Sequence, residues 1–266
     1  MVLVCGDTHG THDIHKLRHL KTDCEIGRAT LTKDDYIIVC GDFGLLWNSP
    51  YLKDYYGDDS WSIESNPNDT LWSADELNLL KWYNSCPWTT LFVDGNHENF
   101  DRLKTYPISE WHGGNVQKIS ESVIHLMRGE VYEIEGHTYF CMGGAMSTDR
   151  GPAVGDEKIS QGRWWWSQEI PTIDEWDVAY RNLERHEWEV DFIITHDTPA
   201  SITMQLNKSY RISEVSNRLE MINCSTLYSH WFCGHMHCDE RFGTISVLYR
   251  QKPVNVEDYL NEYTKE

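Results

Sequence analysis

An α/β layered fold is what this 266-residue sequence predicts, on three observations. Short apolar, β-branched runs recur without polar alternation, the pattern of strands covered on both faces. Each run stops at a polar cluster, usually one that carries glycine. Between the runs lie stretches with helical apolar spacing or a helix-opening capping box.

In chain order, Val2-Leu3-Val4-Cys5 is the first strand and stops at Gly6-Asp7-Thr8-His9-Gly10. Ile14, Leu17 and Leu20 follow at helical spacing. Tyr36-Ile37-Ile38-Val39-Cys40 stops at Gly41-Asp42-Phe43-Gly44. Ser73 with Glu76 forms a capping box that opens a helix through Leu77, Leu80 and Tyr83. Thr90-Leu91-Phe92-Val93 stops at Asp94-Gly95-Asn96-His97-Glu98. Glu130 to Met142 reads as an antiparallel hairpin around Glu135-Gly136. Thr172 with Glu175 opens a second capped helix through Trp176, Ala179, Tyr180 and Leu183. Phe192-Ile193-Ile194 stops at Thr195-His196-Asp197, and His230-Trp231-Phe232-Cys233 stops at Gly234-His235-Met236-His237.

Two stretches break the rhythm. Gly44 to Asn68 is rich in Trp, Tyr, Asp and Asn, and Ser147 to Pro171 holds Arg150-Gly151-Pro152, Arg163 and Trp164-Trp165-Trp166. Loops this long are usually functional or disordered, and the tryptophans are expected to pack most of their length onto the body. In an extended run Trp164 and Trp166 share one face and Trp165 takes the other. With no repeat, low-complexity linker or composition break, residues 1–266 read as a single domain with insertions.

Hydrophobic residues make up 40% and charged residues 24%, enough to fill a core, which excludes wholly disordered, collagen-like and coiled-coil chains. Lys and Arg number 23 against 42 Asp and Glu, a formal charge of −19 that repels duplex phosphates, so no duplex nucleic acid is expected as partner. No apolar run approaches the ~20 residues of a membrane span, and the N-terminus lacks the basic and apolar regions of a signal peptide. Four of the eight cysteines, Cys5, Cys40, Cys141 and Cys233, end apolar runs, where a reduced thiol acts as a small hydrophobe. The expectation is a reduced, cytoplasmic protein without a membrane partner.

Seven residues at the strand ends are of metal-ligand type: Asp7, His9, Asp42, Asn96, His196, His235 and His237. A lone Asp at a strand end is usually a turn or cap residue, and a lone His usually a hydrogen-bonded surface residue. Five such clusters, expected on one edge of one sheet, are poorly explained that way. Ligands of α/β folds collect outside the carboxyl ends of the strands. Mixed imidazole and carboxylate donors suit Zn, Mn, Fe or Ni rather than calcium. Asp-x-His at 7 and 9 and His-x-His at 235 and 237 place donors on one face if those stretches are extended. Seven donors exceed the needs of one tetrahedral ion, so two divalent ions sharing a carboxylate are expected. Two ions ~3.5–4 Å apart can hold a hydroxide and a phosphoryl oxygen together.

The ordered set Gly6-Asp7-Thr8-His9-Gly10, Gly41-Asp42, Gly95-Asn96-His97-Glu98, Thr195-His196 and Gly234-His235-Met236-His237 resembles the calcineurin-like metallophosphoesterase superfamily. The resemblance implies a four-layered α/β/β/α sandwich and hydrolysis of phosphomonoesters or phosphodiesters at a dinuclear centre. Carried over by motif, it implies one ion held by Asp7, His9, Asp42 and His237. It implies a second held by Asp42, Asn96, His196 and His235, with Asp42 bridging. It further implies a metal-generated hydroxide as nucleophile and His97 as general acid, a role suited to a His that titrates near neutrality. Manganese is the first expectation for the metal, with iron, zinc or nickel as alternatives, and a small phosphorylated molecule is the expected substrate.

One departure stands out. Protein Ser/Thr phosphatases of the superfamily carry Asp-Arg-Gly shortly after the second-motif Asp, but here Asp42 is followed by Phe43-Gly44-Leu45-Leu46-Trp47. Arg150 and Arg163 are the candidate replacements for a phosphate clamp. A protein phosphatase is thus a weaker reading than a general phosphoesterase. A single-strand nuclease stacking bases on the tryptophans and a non-enzymatic scaffold on the same fold are the remaining alternatives. The complete ligand set argues against the scaffold.

Overall fold

The computed structural model describes residues 1–47, 72–147, 165–207 and 211–260. Among these residues, two mixed sheets face each other. The first contains β1 (Val2–Cys5), β2 (Tyr36–Val39), β3 (Thr89–Phe92), β4 (Ile108–Trp111), β5 (Gly114–Ser120), β6 (Val123–Leu126) and β13 (Val254–Asn255). Its order is β13-β1-β2-β3-β6-β5-β4, with β1, β2, β3 and β6 parallel. The second contains β7 (Glu130–Ile134), β8 (His137–Met142), β9 (Glu189–Thr195), β10 (Leu227–Cys233), β11 (Glu240–Phe242) and β12 (Ile245–Val247). Its order is β11-β12-β10-β9-β8-β7, with β8, β9, β10 and β12 parallel.

The strand period of two sorts the side chains into three cores. Val2, Val4, Ile38 and Cys40 of the first sheet meet Tyr132, Tyr139, Phe192, Ile194 and Phe232 of the second between the sheets. Their neighbours Leu3, Cys5, Ile37 and Val39 point the other way. They pack with Leu17 of α1 (His15–Glu25) and with Leu79 and Tyr83 of α2 (Ala74–Asn84). On the far face of the second sheet, Phe140, Ile193, Trp231 and Cys233 pack with Trp176, Ala179 and Leu183 of α3 (Ile173–Arg185). Val215 and Leu219 of α4 (Glu214–Ser225) join them. The result is the expected α/β/β/α layering.

Both expected capping boxes are formed: Ser73 Oγ accepts from Glu76 N at 3.2 Å, and Thr172 Oγ1 from Glu175 N at 3.3 Å. The hairpin is formed too, with β7 and β8 paired from Glu130–Cys141 to Ile134–His137. All eight cysteines are free, and Cys5, Cys40, Cys141 and Cys233 are buried. No described helix is long and apolar enough to cross a membrane.

One expectation is corrected. The five polar clusters do not share one sheet; three follow β1, β2 and β3 of the first sheet and two follow β9 and β10 of the second. The chain leaves the first sheet after β6 and builds a second whose carboxyl ends return to the same place. Arg128, at that crossing, is buried. Its guanidinium donates to Asp94 Oδ2 at 2.8 and 2.5 Å and to Glu175 of α3 at 3.3 Å, joining the two halves. His125 Nε2 lies 3.1 Å from Asp94 Oδ1. Burial opposes the Asp94 charge, but Arg128 and His125 outweigh it and hold the carboxyl below the ordinary range. A group depressed in this way stabilises the fold fully above its unfolded value of 3.8, and that stabilisation drains away as pH falls below it. Asp94→Asn, which strands a buried guanidinium, is expected to cost ~3–5 kcal/mol in denaturant unfolding at neutral pH and to flatten the acid limb of stability against pH. An unchanged midpoint would contradict this role.

Candidate metal centre

The first cluster follows β1. Its backbone docks on the second: Thr8 N and His9 N both donate to Asp42 O, at 3.2 and 2.7 Å, and Gly10 N to Phe43 O at 2.9 Å. The clusters of the second sheet are tied by Gly234 N to His196 O at 3.0 Å, and Asp94 O accepts from Gly144 N at 2.9 Å across the two sheets. Glycine is needed where the loops meet. A Cβ at Gly95 would overlap the Asp42 carboxylate, and one at Gly234 would overlap that of Asp7.

All seven sequence-predicted ligands come together. One donor atom from each of Asp7, His9, Asp42 and His237 lies within 4.8 Å of the others, and Asp42, His196 and His235 form a second such group. Asn96 Oδ1 lies 3.1 Å from His196 Nε2 and so joins the second group. Asp42 belongs to both. Its Oδ2 is 3.2 Å from His9 Nε2 and its Oδ1 is 3.2 Å from His196 Nε2, with the carboxylate buried. Two histidines have their far nitrogens engaged, His9 Nδ1 with Asp13 Oδ2 at 2.9 Å and His196 Nδ1 with Cys40 O at 2.8 Å. Each pairing turns Nε2 toward Asp42, the outer-shell arrangement that orients metal-binding imidazoles.

The extended geometry expected for these stretches is not what brings the donors together. His9, Asp42, His235 and His237 all have left-handed φ, at 42°, 44°, 64° and 48°. Non-glycine residues hold such angles only where the surroundings over-determine them, and such angles cluster at functional sites. The turn between Gly234 and Met236 sends His235 to one group and His237 to the other. Glu98 fixes the Asp42 turn, accepting from Phe43 N at 2.6 Å and from Gly44 N at 3.3 Å. Burial and the Asp42 carboxylate push the pKa of its own carboxyl well above the ordinary value.

The electrostatics suit cations. Burial opposes charge on His9 and His196, but Asp42 and Asp7, with Asp13 at His9, outweigh it and lift them to about 9 and about 10. Burial, with Asp42 beside it, raises Asp7 to about 6, whereas the surrounding imidazoles outweigh burial at Asp42 and hold it well below its ordinary value. His235 is pushed down to about 3 by burial and by His196. Protons on His9 and His196 thus neutralise the carboxylates where a metal would. Carboxylates, imidazoles and one amide oxygen, all converging, fit divalent ions of the Mn, Fe, Zn and Ni type.

His97 stands beside this centre. Its backbone N–H donates to Asp42 Oδ1 at 2.8 Å, and its ring lies edge-on to His9 at 5.5 Å and tilted to Trp47 at 6.0 Å. Trp47 is placed by its backbone, its N–H donating to Glu76 Oε1 at 2.7 Å and its carbonyl accepting from Asn99 Nδ2 at 3.2 Å. Trp165 and Trp166 are both buried, and the backbone at Trp166 is extended, with φ −129° and ψ 140°. Trp166 packs edge-on against Trp47 at 5.3 Å, and a short 3-10 turn, Ser167–Glu169, follows. Both indoles anchor the segment. Arg150, Arg163 and Trp164 lie outside the described residues.

The sequence model of the family described as calcineurin-like phosphoesterase matches residues 1–239. This chain belongs to that family. A search of curated proteins finds no match. The calcineurin-like phosphoesterase match spans every cluster residue named above. Asp13 and Glu98, which orient the first two clusters, were not singled out in the sequence. The i, i+4 spacing of Asp13 from His9 is the available signal for the first, and Glu98 lies within the third motif.

A metal that enters this centre displaces protons. Near pH 7 the expected release is about two, one each from His9 and His196. Both imidazoles are protonated below about 9 in the metal-free protein, so affinity should rise with pH. Calorimetric titration of Mn²⁺ into metal-free protein, in buffers of different ionisation enthalpy, measures the release. Binding without proton release, or with pH-independent affinity, would contradict the assigned charge state.

Proposed function

We propose that this chain is a dinuclear metal-dependent phosphoesterase acting on small phosphomonoesters or phosphodiesters. The observation that carries the reading is Asp42, whose two oxygens face His9 and His196 in two separate donor groups. Asp7, His9, Asp42 and His237 would hold one ion, and Asp42, Asn96, His196 and His235 the other. Manganese is the first candidate metal. When bound, a pair of divalent ions supplies an activated water and neutralises phosphoryl charge.

The chain's own residues do the rest. Asp42 sets the spacing of the two donor groups. Asp13 and the Cys40 carbonyl keep two imidazoles aimed inward. His97, partly exposed beside His9, holds a proton for the leaving oxygen. Its backbone bond to Asp42 Oδ1 ties the acid to the carboxylate that both groups share. No Ser or Cys nucleophile is required. The formal charge of −19 disfavours a duplex substrate, and eight free cysteines are in keeping with a reducing, cytoplasmic setting.

Metal-by-metal turnover on a panel of nucleotides, phosphodiesters and phosphopeptides tests the reading. His97→Ala sharpens it: both ions should remain, and kcat should fall ~10²–10⁴-fold on esters with poor leaving groups. Loss on p-nitrophenyl phosphate should be smaller, because its leaving group needs less protonation. Equal losses on both substrates would remove the acid role.

A further inference from the structure

We propose that Tyr249 is a positioning residue for one of the two metal positions, the one built from Asp7, His9, Asp42 and His237; the proposal rests on the two-ion reading above. Tyr249 lies beyond residues 1–239, outside the stretch that the family pattern covers. Its ring stacks on His237 with centroids 4.6 Å apart and planes 10° from parallel. His237 needs such a support. Its side chain is 50% exposed, its backbone has left-handed φ, and its Nε2 lies 3.5 Å from Asp7 Oδ2. Contrast His196, which is fully buried and held by the Cys40 carbonyl.

The same side chain reaches the other histidine of that position. Tyr249 Oη donates toward both Asp13 oxygens, at 3.4 and 3.5 Å, and Asp13 Oδ2 engages His9 Nδ1 at 2.9 Å. One tyrosine therefore touches His237 through its face and His9 through Asp13. The backbone around it is built to hold it there. Tyr249 N, Arg250 N and Gln251 N all donate to the Asp239 carboxylate, at 2.7, 3.0 and 3.3 Å. The buried Lys16 ammonium donates to Tyr249 O and, at 2.5 Å, to Asp7 O. Leu248 O packs against Gly6, where any side chain would displace it. The stretch after β12 is thus fastened to the Asp7 loop, and the ring it carries braces both imidazoles. Among the described residues, no hydrogen bond or ring contact joins Tyr249 itself to Asn96, His196 or His235.

Outer-shell partners of this kind set metal affinity by ~10–100-fold. Tyr249→Leu removes both the stack and the hydroxyl, and Tyr249→Phe removes the hydroxyl alone. Metal-free protein is titrated with Mn²⁺, and its Tm is recorded alongside. The stack is read separately in the metal-free protein, as the upfield ring-current shift of the His237 ring protons. The expected result is that Tyr249→Leu weakens one ion by ~10–100-fold, leaves the other within about twofold, and loses the ring-current shift. Tyr249→Phe should keep the shift and show a smaller loss at the same position. Unchanged affinities in both variants overturn the proposal. So does equal weakening of both ions in step with Tm, which would make Tyr249 structural packing. Wild-type protein that binds a single ion contradicts the two-ion reading instead. The brace is then judged on that ion, and its unchanged affinity in Tyr249→Leu overturns the brace as well.

Discussion

Burying a carboxylate costs several kcal/mol unless cations or hydrogen-bond donors surround it, and Asp42 is buried where the two sheets meet. It is surrounded by groups from both halves of the molecule. His9 comes from the loop after β1, the His97 amide from the loop after β3, and His196 from the end of β9. Each comes from the carboxyl end of a strand, so the site exists only if both sheets form in register. Stability and function are therefore coupled at one residue. The buried carboxylates demand positive charge, and the charge can be protons on His9 and His196 or metal ions in their place.

Holding that arrangement strains the backbone. Four of the seven donor residues have left-handed φ, each costing of order 1–3 kcal/mol where a side chain is present. The surroundings offset it. Glu98 takes the free N–H groups of the Asp42 turn, Lys16 takes the Asp7 carbonyl, and glycines at 95 and 234 leave room for the carboxylates. Arg128 and Asp94 lock the crossing between the sheets nearby. These contacts fix the loops that carry the donor groups.

The sequence made the strands and the donor residues legible because buried parallel strands leave plain apolar runs and the clusters end them. The capping boxes at Ser73 and Thr172 were equally plain, since a Ser or Thr with Glu three residues on is a local signal. The split of the clusters between two sheets was not, because a strand end looks the same in either sheet. Nor were the left-handed turns at His9, His235 and His237, since histidine carries no glycine-like mark of positive φ. Asp13, Lys16 and Tyr249 are ordinary residues in sequence; only folding brings Tyr249 next to His237 and Asp13. The burial of Trp165 and Trp166 was legible from a simpler signal, since large apolar rings in an excursion pack onto the body.

In the two-ion reading proposed above, one buried carboxylate, Asp42, serves both metal positions. Anomalous diffraction from crystals grown with Mn²⁺ measures this directly. Two peaks ~3.5–4 Å apart are expected, one on each side of Asp42, the first among Asp7, His9 and His237 and the second among Asn96, His196 and His235. A single peak, or two peaks of which one lies out of reach of Asp42, would contradict it.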